Sequence, residues 1–216
     1  MRRILGWLGL LYWAVVSSME AQANLALRGR WALGLSLGVS SFSGVTDGNG
    51  PEGEEASFTP YRPTMWGVAV ARGGQGLRIG VAARYGEAGL GIRGVPSEPG
   101  ADQAVLVIAE NVYHVAVFTG GVSAHLLRLR GGPSLRPSLA LGVERWAAPG
   151  TPPRVIAGVQ AGLALEVILT RALVGSLEGE LGFTPASPFH AADLPEGYRA
   201  RSAWRRTLAA GIYWRF

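Results

Sequence analysis

The chain has 216 residues, which suits one domain, and 48% of them are hydrophobic while only 16% are charged. It contains no Cys, which excludes a disulfide framework and a thiolate metal site. The formal charge is +5, and all 20 basic residues are Arg. Because these arginines are scattered along the chain, they do not form the basic, aromatic-lined stripe of a nucleic-acid-binding surface.

The first 23 residues have the three parts of a secretory signal. Arg2 and Arg3 form a cationic start, an apolar run follows from Ile4 to Val16, and the segment ends on the small-residue pattern Ala21-Gln22-Ala23. The sequence therefore predicts export, cleavage after Ala23 and a mature domain over residues 24–216, with a retained signal anchor as the alternative. No later apolar run is long enough for a membrane-spanning helix, so the exported domain is either soluble or a closed barrel.

Apolar residues recur with period two from residue 31 onward, which is typical of β-strands. Trp31 to Val39 alternate large apolar residues with Ala, Gly and Ser, and predict the first strand. A long loop is expected over residues 45–63. Within it, Asp47-Gly48-Asn49-Gly50 begins like a calcium loop, but Pro51 occupies a ligand position, so we predict a turn.

The next three strands are predicted around a tight turn and a second loop. Thr64–Arg72 and Leu77–Gly86 flank the turn at residues 73–76, and residues 94–102 form the loop. The fourth strand falls in residues 103–130, too long for one bilayer crossing of about 9 to 11 residues. An extra turn at residues 119–121 would give nine strands, an odd number rare in single-chain bacterial barrels, so one extended strand is favoured.

Four more strands complete the prediction. The fifth runs through Leu139 to Trp146, the sixth is Val155–Leu169, the seventh is Leu173–Phe183 and the last is Arg205–Phe216, which we expect to pair with residues 31–42. Connections alternate between long and short, with the chain ends on the short-turn side. The predicted fold class is an all-β, eight-stranded, antiparallel up-and-down transmembrane β-barrel.

Apart from the fourth strand, whose register the sequence leaves open, the predicted strands have one apolar face, and the opposite face carries small and charged residues. An eight-stranded barrel has an interior that side chains fill, so the inward charges are expected to form a network of ion pairs and hydrogen bonds. Glu178 and Glu180 are the candidate partners of Arg215. The expected network comprises Arg78, Arg84, Glu144, Gln160, Glu166, Glu178, Glu180 and Arg215.

Aromatic residues near the predicted strand ends favour interfacial girdles over ordinary core packing. They are Trp31, Tyr61, Trp66, Tyr85, Trp146, Phe183, Tyr198, Trp204, Tyr213, Trp214 and Phe216.

Ser123 and His125 lie two residues apart and share a strand face, which raises the hypothesis of a hydrolase. No acid is tied to His125 by spacing, so a polar pair that fills the lumen is the favoured interpretation. His114 and His190 are isolated in the sequence, and no metal site and no cofactor are predicted.

The signal segment, the eight-strand alternation over Trp31 to Phe216 and the terminal IYWRF together resemble the small outer-membrane barrels of the OmpA-type and OmpX-like group. The resemblance implies a monomer in the outer membrane after Sec-type export. It also implies that Ile212, Trp214 and Phe216 form a signature read by the barrel-assembly machinery.

The implied surroundings are outer-membrane lipid, including lipopolysaccharide, and Arg62, Arg199 and Arg201 are candidate partners of lipid phosphates. The expected function is a non-enzymatic structural or surface-interaction role of the outer loops. A lipid-modifying enzyme and a narrow small-solute channel are the alternatives.

Overall fold

The computed structural model describes residues 30–48, 56–74, 76–94, 105–128, 133–191, 194 and 196–216. Eight long antiparallel strands form one sheet that closes on itself. Closure is made by the first strand with the last, from Ala32↔Arg215 to Ser43↔Trp204, so the predicted pairing of these two strands is confirmed. The long strands are β1 (Arg30–Ser43), β3 (Ala56–Gly73), β4 (Leu77–Gly94), β5 (Val105–Ala124), β7 (Ser134–Ala147), β8 (Arg154–Ile168), β9 (Leu173–Thr184) and β11 (Ala203–Arg215), and the short ones are β2 (Thr46–Gly48), β6 (Leu127–Arg128) and β10 (Tyr198–Ala200).

Side chains alternate across the barrel wall as the period of two requires. On β1, Leu35 and Leu37 face outward and are 63% and 60% exposed, whereas Ala32, on the inward face, is 4% exposed. Arg78, Arg84, Glu144 and Glu166 point into the barrel and the large apolar residues point away from it, which is the reverse of a soluble barrel. The predicted fold class is confirmed.

The strands on one side of the barrel are longer than a bilayer crossing. β5 has 20 residues and continues through Thr119–Gly121 without a turn, which confirms the single extended strand. β3 begins at Ala56, so the prediction of a loop over residues 45–63 was wrong for its last part. The ladder with β4 starts at Ala56↔Gly94 and breaks only between Tyr61 and Thr64. Pro63, which has no backbone N–H to donate, lies in this break and so removes no hydrogen bond from the ladder.

The prediction of a turn at Asp47–Gly50 was also wrong for Asp47 and Gly48, the two of these residues that the structure describes. Thr46–Gly48 is β2, which pairs with β10 from the connection between β9 and β11. The backbone hydrogen bonds that a second segment supplies outweigh the local turn preference of Asp and Gly. Residues 49 and 50 lie outside the described part of the chain.

The alternation of long and short connections is less regular than predicted. The connection between β5 and β7 runs from residue 125 to 133 and includes β6, which pairs back onto β7. The connection between β7 and β8 runs only from 148 to 153. We call the end of the barrel with the turns at 74–76 and 169–172 the short-turn end, and the opposite end the loop end.

Buried apolar side chains gather inside the barrel at its loop end. Phe189, from the connection between β9 and β11, reaches into this cluster. The cluster, which we call the cap, contains Phe42, Val45, Met65, Ala88, Val115, Val117, Trp146, Ile156, Phe189 and Ala203.

In the part of the chain that the structure describes, no helix has the length and apolar content needed to cross a membrane.

Candidate functional site: the barrel lumen and its cap

The middle of the lumen is bridged by an ion pair between opposite walls. Arg84 on β4 donates from both Nη atoms to the carboxylate of Glu180 on β9. Glu178 also approaches Arg84, at 3.6 Å, and accepts a hydrogen bond of 2.8 Å from the Tyr213 hydroxyl. We call these four residues the middle layer.

Glycine on the neighbouring strands gives these long side chains their room. Gly67 is the register partner of Arg84, and a Cβ atom at Gly67 would lie 2.6 Å from Arg84 Cγ. Gly34 is likewise the partner of Tyr213, whose ring occupies the space that a side chain at position 34 would fill. The small inward residues therefore set where the charged ones can lie.

Three arginines converge on Glu166 near the short-turn end. Arg78 Nη1 lies 2.7 Å from Glu166 Oε1, Arg215 Nη2 lies 3.1 Å from Oε2, and Arg136 Nε lies 3.5 Å from Oε1. Arg136 also donates to the carbonyl oxygen of Gly76 at 3.2 Å. We call these four side chains the short-turn layer.

The expectation that Arg215 would pair with Glu178 and Glu180 was wrong. Glu178 is the register partner of Ala209 and Glu180 that of Thr207, and Ala209 itself lies six residues before Arg215 on β11. At about 3.3 Å per residue, Arg215 is roughly 20 Å further along the strand than Ala209. Glu166, which β8 places near the same end of the barrel, is the carboxylate within its reach.

The third layer lies directly below the cap. Arg205 forms an ion pair with Glu144 and donates to Gln160 Oε1 at 2.8 Å. Glu144 also accepts a hydrogen bond of 3.0 Å from Trp146 Nε1, which joins the polar layer to the apolar cluster above it. We call Arg205, Glu144 and Gln160 the cap-side layer.

The cap closes over the cap-side layer through aromatic contacts. Trp146 packs against Phe42 with ring centroids 5.4 Å apart, and Tyr113 packs against Phe189 at 5.5 Å. Arg154 donates to the carbonyl oxygen of Phe189 at 2.9 Å. These contacts hold the connection between β9 and β11 against the barrel interior.

Sequence reasoning missed Arg136, Arg205 and the lumen position of Tyr213. The signal was present for both arginines, because Arg136 has the parity of Glu144 on β7 and Arg205 has the parity of Thr207 on β11. Trp146 and Tyr213 were both predicted in the interfacial girdles, and both point inward. Trp146 is 2% exposed.

The other aromatic contacts on the outward face occur near both ends of the barrel. Trp66 lies against Tyr85 with centroids 6.0 Å apart, and Phe183 against Trp204 at 4.9 Å. At the short-turn end the guanidinium of Arg72 lies 5.4 Å from the Trp31 ring centroid. This placement fits aromatic belts above and below an apolar band.

The two candidate catalytic residues lie near the short-turn layer. Ser123 lines a cavity of about 140 Å³ together with Arg78, Arg136 and Ser138. His125 follows the end of β5, and its backbone N–H donates to the carbonyl oxygen of Gly76 at 2.8 Å. Ser123 therefore faces the lumen rather than the outward apolar surface.

The remaining histidines lie elsewhere. His114 Nδ1 lies 3.1 Å from the Tyr85 hydroxyl and 3.7 Å from Glu87 on the outward face, and His190 Nε2 lies 3.2 Å from the carbonyl oxygen of Pro152. Among the described residues, no group of three or more His, Asp or Glu side chains is placed to hold a metal ion.

A closed ring of eight antiparallel strands, apolar outside and charged inside, defines the class of small outer-membrane β-barrels. The chain has this fold. Neisserial surface protein A (NspA) is similar in structure, with a TM-score of 0.58 and 8% sequence identity over 86% of this chain and 97% of that protein.

Two further solved structures show weaker likeness. The outer membrane protein OprG of Pseudomonas aeruginosa gives a TM-score of 0.49 and 8% identity over 87% of this chain and 96% of that one. Ail of Yersinia pestis gives 0.47 and 12% identity over 87% and 99%. No family model and no curated protein matches the sequence.

Proposed function

We propose that this chain is an integral outer-membrane barrel whose structural or surface-interaction role is carried by its outer loops. The observation that carries the proposal is the filled lumen. Among the described residues, three polar layers and the apolar cap cross the interior at successive levels, and the cavity that the middle and short-turn layers line is only about 140 Å³. A barrel filled in this way leaves its loops as the surface available for interaction.

The location in the outer membrane after Sec-type export forms part of the same proposal. It is supported by the apolar outward band and by the signal-like segment 1–23. Along β9 the outward positions from Leu173 to Phe183 carry only Leu, Gly and Phe, and this stretch is about 23 Å high for strands tilted by about 45°. That height matches the apolar band of roughly 25 Å in outer-membrane barrels.

The proposed partners are outer-membrane lipid, including lipopolysaccharide, and the barrel-assembly machinery, with the protein acting as a monomer. Arg62 is exposed near the loop end, with its guanidinium 5.3 Å from the Tyr61 ring centroid, and Arg199 and Arg201 are exposed beside β10. Cationic side chains beside aromatic rings at this level are suited to lipid phosphates. Ile212, Trp214 and Phe216 lie on the outward face of the closing strand and are the proposed assembly signature.

A non-enzymatic role is proposed because Ser123 lines the lumen cavity, away from the outward face where lipid would be presented. Lipid A should carry the same modifications in cells that make the variant with Ser123 and His125 replaced by Ala as in cells that make the unaltered protein. A loss of lipid A modification in the variant would favour the enzyme instead. For the channel alternative, planar bilayers containing the purified barrel should stay silent, and steady conductance would favour a pore.

The experiment that tests the main proposal is membrane fractionation followed by electrophoresis with and without boiling. We expect the protein in the outer-membrane fraction, with a band that changes mobility on heating. Recovery as a soluble periplasmic protein would contradict the proposal.

A further inference from the structure

The outward surface of the barrel has a groove of about 550 Å³ along β4, β5 and β7, which we call the wall groove. Its volume is within the range of roughly 300 to 1,000 Å³ that is typical of clefts for small ligands. The outward-facing residues that shape it are small on two strands and large and apolar around them: Ala83 and Gly120, with Val81, Phe118, Leu141 and Val143.

The glycine at position 120 keeps the wall groove open. A Cβ atom at Gly120 would have only Val81 Cγ1 within 4 Å, at 3.9 Å, so a side chain there would project into the groove. Val81 and Leu141 are the register partners of Gly120 and are 62% and 68% exposed. The groove therefore faces the surroundings of the barrel and not the lumen.

An exposed arginine lies on the loop-end side of the wall groove. Arg145 follows Val143 by two residues on the outward face of β7, about 7 Å further along the strand. Its register partners are Ala116 on β5 and Val155 on β8, and both are apolar. Tyr85 pairs with Ala116 from the other side and contacts Trp66, so Arg145 lies at the level of the aromatic belt at the loop end.

Arg145 brings a positive charge to this surface without a carboxylate partner among the described residues. Glu87 on β4 lies instead against His114, with 3.7 Å between Glu87 Oε1 and His114 Nδ1. Beside an aromatic belt, the anions available to a lipid-facing arginine are lipid phosphates, which guanidinium groups bind through paired hydrogen bonds.

We propose that the wall groove and Arg145 together bind one molecule of lipid A, with an acyl chain along the groove and a phosphate on the guanidinium group. An acyl chain in the groove makes dispersion contacts with its apolar lining on several sides, which an even wall does not offer. The inference rests on the proposed location in the outer membrane. Arg145 lies at the loop end, which faces the outside of the cell in that orientation, where lipopolysaccharide is the proposed lipid partner.

A second copy of the chain is a poorer occupant of the wall groove. A symmetric contact between two copies uses the same surface patch on both, so groove would face groove and Arg145 would lie near Arg145 of the second copy. Two concave surfaces leave a void between them, and like charges repel.

The test is native mass spectrometry of the purified barrel, folded in detergent and titrated with lipid A. We expect one bound lipid A per barrel and at least tenfold weaker binding by Gly120→Phe, which fills the wall groove. Gly179→Phe is the matched control, because Gly179 faces outward on β9 away from the groove and a Cβ atom there has no atom within 4 Å. Equal binding by these two variants, or a dimer in place of the lipid complex, would overturn the proposal.

The phosphate contact is tested by Arg145→Gln, which leaves the groove unchanged and keeps the proposal falsifiable if Gly120→Phe does not fold. We expect severalfold weaker binding of lipid A and unchanged binding of its dephosphorylated form. Arg206→Gln is the matched control, since Arg206 is an exposed outward arginine on β11 that has Leu181 and Leu208 beside it instead of a groove. Equal weakening by both arginine variants, or equally tight binding of phosphatidylglycerol by the unaltered barrel, would overturn the lipid A site.

Heat-modifiable mobility of each variant, measured before the titrations, separates a failed lipid site from a failed barrel. A folded, heat-modifiable barrel that binds no lipid A would overturn the lipid site and leave the proposed outer-membrane function standing.

Discussion

Arg84 and Glu180 join walls that lie opposite each other in the barrel, since β4 and β9 are separated by β3, β1 and β11 around an eight-stranded ring. The pair spans the lumen, and both side chains are largely buried, with 13% and 8% of their surface exposed. A bidentate pair across a ring fixes the distance between two walls that share no backbone hydrogen bond. The stability of the closed barrel should therefore depend on it.

Replacing Arg84 with Met should lower the free energy of unfolding by about 3 to 5 kcal/mol, because two neighbouring buried carboxylates lose their cation. Urea unfolding in detergent, followed by tryptophan fluorescence, measures this. The control is Arg72→Met, on the outward face, where only an exposed cation–π contact of about 0.5 to 1 kcal/mol is lost. Equal effects of the two substitutions would show that the lumen pair contributes no special stability.

Replacing Gly67 with Val should destabilise the barrel by about 1 to 3 kcal/mol, because the new side chain displaces the stem of Arg84. Gly179→Val is the matched control, since Gly179 faces outward on β9 and a Cβ there meets no atom within 4 Å. Its effect should stay within about 0.5 kcal/mol. The loss of unfolding free energy caused by Gly67→Val should also be smaller in an Arg84→Ala background. An equal loss in both backgrounds would contradict the proposed contact between position 67 and Arg84.

Replacing Trp146 with Ala should destabilise the barrel by about 3 to 5 kcal/mol, because it opens the cap and removes a hydrogen bond to Glu144. The connection between β9 and β11 packs against the cap through Phe189, so trypsin should cleave it faster at Arg199 and Arg201. Trp66→Ala, at an outward position, should leave the cleavage rate unchanged. Equal cleavage rates in the two variants would argue against the cap as the anchor of this connection.

Replacing Phe216 with Ala should reduce the amount of protein inserted in cells while leaving the stability of the refolded barrel nearly unchanged. Its side chain is 66% exposed, whereas its backbone pairing with Trp31 does not depend on the side chain. Quantitative fractionation measures insertion, and urea unfolding measures stability. Leu208→Ala, on the same outward face of β11, serves as the control and should insert normally. A loss of insertion in both variants would mean that outward hydrophobicity matters and not the terminal aromatic.

The sequence by itself determined the fold class and the two faces of most barrel strands, but not those of β5. A period of two places apolar and polar residues on opposite sides of a strand regardless of what the strand pairs with, and this made β1 with Trp31 to Val39 and β11 with its terminal aromatics predictable. Parity also predicted that Arg84 and Glu180 point inward. The same rule covered Arg136 and Arg205, whose inward parity was overlooked.

Only the tertiary structure decided which inward charges meet and where a strand ends. The height of a residue in the barrel depends on strand register and stagger, which the local pattern does not encode, so Arg215 pairs with Glu166 instead of Glu178 or Glu180. The continuation of β3 back to Ala56 likewise depends on hydrogen bonds supplied by β4. Alternation fixes the face of the sheet toward which each side chain points. Which side chains meet depends on the register of each strand with its neighbours, and closure of the ring sets that register.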